Sequence, residues 1–229
     1  MKRIASLLTL TLLVAVMVRS QAHKVETIPD TNADNEQGYL DLLAKGLGDD
    51  PSSRAVLIGY RKSDLPPGTF LRRVHGYDYY LVNMRGIEPN RVEIIEGDVK
   101  DKTFTEMWLV PAGTQPPIAD SRLNLVPRLP LEFDVAYPDC PSEMTVYLED
   151  LADSLRFYAR ALLANPNVSA RIVAYPGRRV SVRTTMRIAT HARAQLIANY
   201  HIDRKRIAAL ASYHRRHCSQ LELWLTQAR

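Results

Sequence analysis

Apolar residues recur along this chain in two alternating rhythms. Spacings of three and four mark amphipathic helices over Gly38 to Leu47, Gly68 to Met84, Ser142 to Leu163 and Arg183 to Tyr200. Short apolar runs between them predict strands at Ala55 to Tyr60, Arg91 to Glu96 and Thr103 to Val110. Further strands are predicted at Ala170 to Tyr175, Arg206 to Ala211 and Gln220 to Thr226. Leu131 to Val135 alternates cleanly and predicts one more, whereas only Val25 to Ile28 stands at the matching place near the start. The first strand is therefore expected to be short or absent. Asp50-Pro51 and Asn165-Pro166 end the first helix of each series, because proline disfavours helix in the residue before it.

The two series are one pattern repeated at an offset of 115 residues. Tyr39 to Val92 lies over Ser154 to Ile207 without a gap. Pro51 falls on Pro166, Ala55 to Tyr60 on Ala170 to Tyr175, and Arg91-Val92 on Arg206-Ile207. After a shift of one residue, Glu106 to Leu109 falls on Glu222 to Leu225, so the two tryptophans of the chain, Trp108 and Trp224, become equivalent. Both are expected in the core or on a sheet face. The implied fold class is α/β (α+β): two tandem βαβαββ units, each with helices packed on a mixed sheet. Residues 23–112 form the first unit, 113–128 a Pro-rich linker, and 129–229 the second.

Residues 1–22 have the marks of a cleavable signal peptide. Lys2 and Arg3 precede an apolar run from Ile4 to Val18, and Ser20-Gln21-Ala22 places small residues for cleavage near Ala22. The run is short against the roughly 20 residues that span a bilayer. A periplasmic or secreted location is expected, with no transmembrane segment in the mature chain. In such a compartment Cys140 and Cys218 can form a disulfide or remain apart. His214, His217 and Cys218 lie close together in a stretch expected to be strand, where alternate side chains diverge, so no metal site is expected.

The formal charge of +5 falls to +2 without Lys2, Arg3 and Arg19. Asp153 to Arg229 carries fourteen Lys/Arg and three Asp/Glu, a net of +11, which leaves −9 for residues 23–152. Such a basic half suits an anionic polymer or surface, or simply neutralises its partner half. Export and the lack of aromatic-on-strand motifs argue against nucleic acid. No phosphate loop, His-Glu-x-x-His, Gly-x-Ser-x-Gly or catalytic Cys-His signature is present, so neither an enzyme nor a cofactor is expected.

Phe133 to Tyr175 resembles the first half of an OmpA-like domain, the periplasmic module of outer-membrane proteins. The resemblance rests on Leu148-Glu149-Asp150-Leu151-Ala152, Asn165-Pro166 and Ile172 to Tyr175. Arg72-Arg73, Tyr80-Leu81 and Gly86 to Val92 resemble its second half. In that family an Asp after the second strand and an Arg on the next helix clasp a peptidoglycan peptide, so the resemblance implies peptidoglycan or another envelope protein as partner. The Arg position falls on Arg73 and the Asp position on Lys62, with Asp64 two residues later. In the second copy these places hold Gly177 and Ile188, with Arg178 and Arg187 beside them. Asp64, Arg72, Arg73, Arg178 and Arg187 are thus the candidate ligand residues. Arg72 and Arg73 also fit a solvated helix face, Asp64 a turn, and the cluster Arg178, Arg179, Arg183 and Arg187 either an anion grip or a solvated face. An envelope binding module, a docking scaffold that has lost its ligand and, more remotely, an exported hydrolase are the readings that remain.

Overall fold

In the computed structural model, residues 21–117, 129–137 and 151–228 are described. The chain is mixed α/β, with four α-helices and two four-stranded sheets among the described residues. The first sheet is made of β1 (His23–Pro29), β2 (Arg54–Lys62), β3 (Val92–Lys100) and β4 (Phe104–Val110), in the order β1-β4-β2-β3. The second is made of β5 (Leu131–Ala136), β6 (Val168–Tyr175), β7 (Ile207–Ala211) and β8 (Gln220–Gln227), in the order β5-β8-β6-β7. In each, the second and third strands run parallel and the other pairs antiparallel. The helices are α1 (Ala33–Asp49), α2 (Pro67–Tyr79), α3 (Leu151–Ala164) and α4 (Val182–Tyr200).

The registers repeat as well as the order. Ala55 pairs with Val92 and Leu109; Ala170 pairs with Ile207 and Leu225. β1 and β5 both carry a bulge against the last strand, between Lys24 and Glu26 and between Glu132 and Asp134. Contrary to the expectation from sequence, β1 is a full seven-residue strand. Its polar residues hid it, since only Ile28 is fully buried among them.

α1 also begins earlier than the apolar periodicity indicates. Asn32 caps it by accepting a hydrogen bond from Asn35 N at 3.0 Å, and its polar first turn carries no apolar signal. Leu40, Leu43 and Leu47 then bury one face. α2 passes at Tyr80 into a wider π-helical turn, Tyr80–Met84. Both crossover helices end alike: Ile87 N donates to Leu81 O and Ile202 N to Leu196 O, with Gly86 and His201 left-handed at φ +68° and +55°. One apolar cluster runs through both halves, from Leu40, Leu57 and Phe70 to Phe133, Tyr158 and Leu223. A smaller one, Val56, Ile58 and Val110, includes Trp108 at its edge.

A half-buried guanidinium ties each half together in the same way. α1 and α3 end without a basic residue in their last turn, so their final carbonyls need a donor from elsewhere. Arg91 donates to the carbonyls of Leu47 (2.9 Å), Asp50 (3.1 Å) and Ser53 (2.9 Å). Arg206 donates to Leu162 (2.8 Å), Asn165 (2.8 Å) and Val168 (2.9 Å), the same positions plus 115. One fork thus joins helix end, proline turn and strand start. Arg206→Ala should lower stability by about 2–3 kcal/mol in a denaturant titration, because charged donors to buried carbonyls are lost. Arg206→Lys should recover less than half of that, since a point charge cannot span three acceptors.

Candidate functional site

The candidate arginines of α2 face inward to carboxylates. Arg72 grips Asp134 of β5 with two nitrogens, Nε to Oδ2 at 3.1 Å and Nη2 to Oδ1 at 2.9 Å, and also donates to Val135 O. The Asp134 side chain is fully buried, and it also accepts from Thr69 Oγ1 at 2.9 Å. It therefore sits at the first turn of α2, where helix N–H groups favour an anion. The bulge in β5 explains its aim: Phe133 and Asp134 are consecutive yet both buried. Gly68 lets the strand come this close, because a Cβ there would lie 2.6 Å from Asp134 Cβ.

Arg73 is engaged on the other side of the helix. Its Nε donates to Glu36 at 2.6 Å and Tyr77 Oη at 3.3 Å, its Nη2 to Thr31 O at 3.2 Å, and its Nη1 to Asp30. Burial pushes the Glu36 carboxyl above its ordinary value, and Arg73 offsets only part of that. The guanidinium so matched to the family's ligand arginine is already held by two carboxylates of its own chain. Asp64, in the turn before α2, pairs instead with Lys62 at 2.7 Å and is mostly exposed. It lines a cleft of about 190 Å³ with Leu65, Pro66, Leu131 and Glu132. Burial, and then repulsion from Glu222 and Asp134, raise the Glu132 carboxyl. A larger open depression of about 520 Å³ lies by Ser53, Arg54, Asn90 and Gly113, at the opposite end of β2.

Arg178 and Arg187 stand in the other half, on the β6–α4 loop and on α4, both exposed. Gly177 N donates to Ser219 Oγ, and Ile188 is half-buried. The stretch from Tyr213 to Cys218 is a loop between β7 and β8, which corrects the expected strand there. The alternation that the sequence indicated stops at Ala211. Cys218 is disulfide-bonded, while Cys140 lies outside the described residues. Most of the expected leader and residues 118–128 of the expected linker also lie outside them. Among the described residues, no helix is long and apolar enough to cross a membrane, and no cluster of three or more His, Cys, Asp or Glu is set to hold a metal.

Sequence reasoning missed Asp30, Glu36 and Asp134 as partners of the α2 arginines, and Arg215 as an organiser of the loops around Gly177. Nothing in periodicity marks a carboxylate as the inward residue of a bulge. Between the halves, Glu96 of β3 also pairs with Arg160 of α3, and His75 Nε2 stands 3.8 Å from it. Burial raises the Glu96 carboxyl, but His75 and Arg160 outweigh it and hold it below its ordinary value. No protein-family model matches the chain, and no curated protein matches it in sequence.

Two outcomes follow for these contacts. Asp134→Ala leaves Arg72 without its carboxylate and should cost about 3–5 kcal/mol in chemical denaturation. The double variant Arg72→Met, Asp134→Leu should recover most of it. For Glu96, a depressed carboxyl stabilises the fold above its unfolded value and loses that contribution as pH falls through its folded value. Glu96→Gln should therefore flatten the stability loss below about pH 4.5 relative to the parent chain, measured by thermal melts across the acid range.

Proposed function

We propose that the chain is an exported, non-catalytic binding module of the cell envelope, similar to OmpA-like domains, acting in the periplasm or outside the cell. The observation that carries the reading is the element order strand, helix, strand, helix, strand, strand, repeated in one register across two sheets. It is the order that the OmpA-like resemblance implies. Its ligand on this reading is peptidoglycan, or another envelope protein, approached through Asp64 and the turn before α2. The cleft beside Asp64 supplies a polar entry there.

A second reading is favoured by a specific observation. Arg72 and Arg73 are both engaged by internal carboxylates, so the fold also fits a docking scaffold whose ligand clasp has been turned into an internal brace. Sedimentation with purified peptidoglycan separates the two. The module reading expects retention at moderate salt that falls in Asp64→Ala, an exposed position whose loss should leave the melting curve unchanged. Absence of retention even at low salt sinks it and leaves the scaffold. Retention that vanishes only as salt rises and ignores Asp64→Ala marks nonspecific attraction to the basic half.

A further inference from the structure

Four arginines gather where β6 leads into α4: Arg178 and Arg179 in the loop, Arg183 and Arg187 on the first turns of the helix. All four are exposed, and among the described residues none takes part in an ion pair. α4 contains no Asp or Glu over its nineteen residues. Arg183, Arg187 and His191 follow one another at intervals of four, which places them along one exposed face of the helix. Glu222, the one carboxylate on β8, is withdrawn: it is buried and accepts from Trp224 Nε1 at 2.9 Å.

The backbone under this patch is braced. Arg215 Nη1 reaches across from the β7–β8 loop and donates to the carbonyls of Gly177 (3.0 Å), Arg178 (3.2 Å) and Val180 (2.9 Å). Arg216 N donates to Pro176 O at 2.9 Å. At Gly177 a Cβ would lie 2.8 Å from Ser219 N, so the two loops pack backbone against backbone. Cations on such a rim meet a partner without first ordering their own loop.

Two apolar side chains stand exposed on these same elements. Tyr213, two residues before Arg215, is 86% exposed, and Met186, between Arg183 and Arg187, is 37% exposed. A soluble polyanion has no use for them. A bilayer interface has, because an aromatic ring and a thioether settle at the headgroup level while arginines meet lipid phosphates. We infer that the β6–α4 loop, the exposed face of α4 and the tip of the β7–β8 loop form a peripheral docking surface for an anionic phospholipid bilayer. This surface is separate from the cleft beside Asp64, so its test does not depend on peptidoglycan binding.

Cosedimentation of the full, oxidised chain with vesicles tests it. Vesicles of phosphatidylglycerol and phosphatidylethanolamine should bind the protein, those of phosphatidylcholine alone should not, and added salt should release it. The double variant Arg183→Ala, Arg187→Ala should weaken partitioning roughly 30-fold, from the loss of two cations near a charged surface. Tyr213→Ser should weaken it severalfold. All these positions are exposed, and circular dichroism should show the fold intact. The proposal falls if anionic vesicles bind no better than neutral ones, or if the arginine variant partitions like the parent. It also falls if inorganic polyphosphate is bound as tightly as vesicles while Tyr213→Ser has no effect, because the partner is then a soluble polyanion.

Discussion

Of the ion pairs described between the two halves of this molecule, that of Arg72 with Asp134 is the most deeply buried, and it stands within the apolar cluster they share. Asp134 leaves water entirely, a costly step for a carboxylate unless its lone pairs are met. Here they are met three ways, by two nitrogens of Arg72, by Thr69 and by the N–H of Val135. The geometry that makes this possible is narrow. A bulge must turn Asp134 toward the helix, glycine at 68 must leave room, and the first turn of α2 must present its positive end. Once these hold, β5 is fixed against α2, and Phe133 is placed under Tyr158, with ring centroids 5.3 Å apart. The shared apolar cluster then has a defined shape, because a pair of this kind tolerates no sliding of strand against helix.

Within each half a different cation does comparable work. Arg91 and Arg206 gather the last carbonyls of a helix, the proline turn after it and the start of the next strand. Helix ends leave carbonyls that must find donors, and the last turns of both helices carry no basic side chain to supply them. The repetition of this contact at a constant offset explains why residues as unlike as Asp50 and Asn165, or Ser53 and Val168, occupy equivalent places. The guanidinium reads only their backbone oxygens, and the side chains serve locally: Asp50 accepts from Ser52 and Ser53, and Asn165 donates to Ala161 O.

Much of this fold could be read from the sequence, and the limits of that reading have physical causes. Strands buried on both faces, such as Ala55 to Ile58, announce themselves by a continuous apolar run. β1 lies at a sheet edge with mostly exposed side chains, so periodicity had little to report. The candidate site was less accessible still. Arg72 and Arg73 were found as charges on a helix, but their partners lie on β5, on α1 and in the turn before it, brought near only by folding. Burial of a charge is decided by its partner, and a single chain read in order does not pair them. The loop at Tyr213 to Cys218 failed for a related reason: its residues alternate plausibly, yet Arg215 and Arg216 are drawn away to the carbonyls of Gly177 and Pro176.

The same backbone thus uses its charges in opposite ways. In the first half the arginines after the second strand turn inward, and internal carboxylates satisfy them. In the second half Ile188 stands at the place of Arg73, while Arg187, at the place of Arg72, stays at the surface. Gly177 is the pivot of that difference, since its lack of a side chain lets the β7–β8 loop lie directly on the β6–α4 loop. Among the described residues, none of these exposed arginines has a carboxylate within ion-pair distance. Exposed like charges repel one another and cost stability at low ionic strength. A fold that braces them together, instead of interleaving them with the carboxylates so abundant in its other half, keeps that repulsion standing, and an anionic surface is the kind of partner that relieves it.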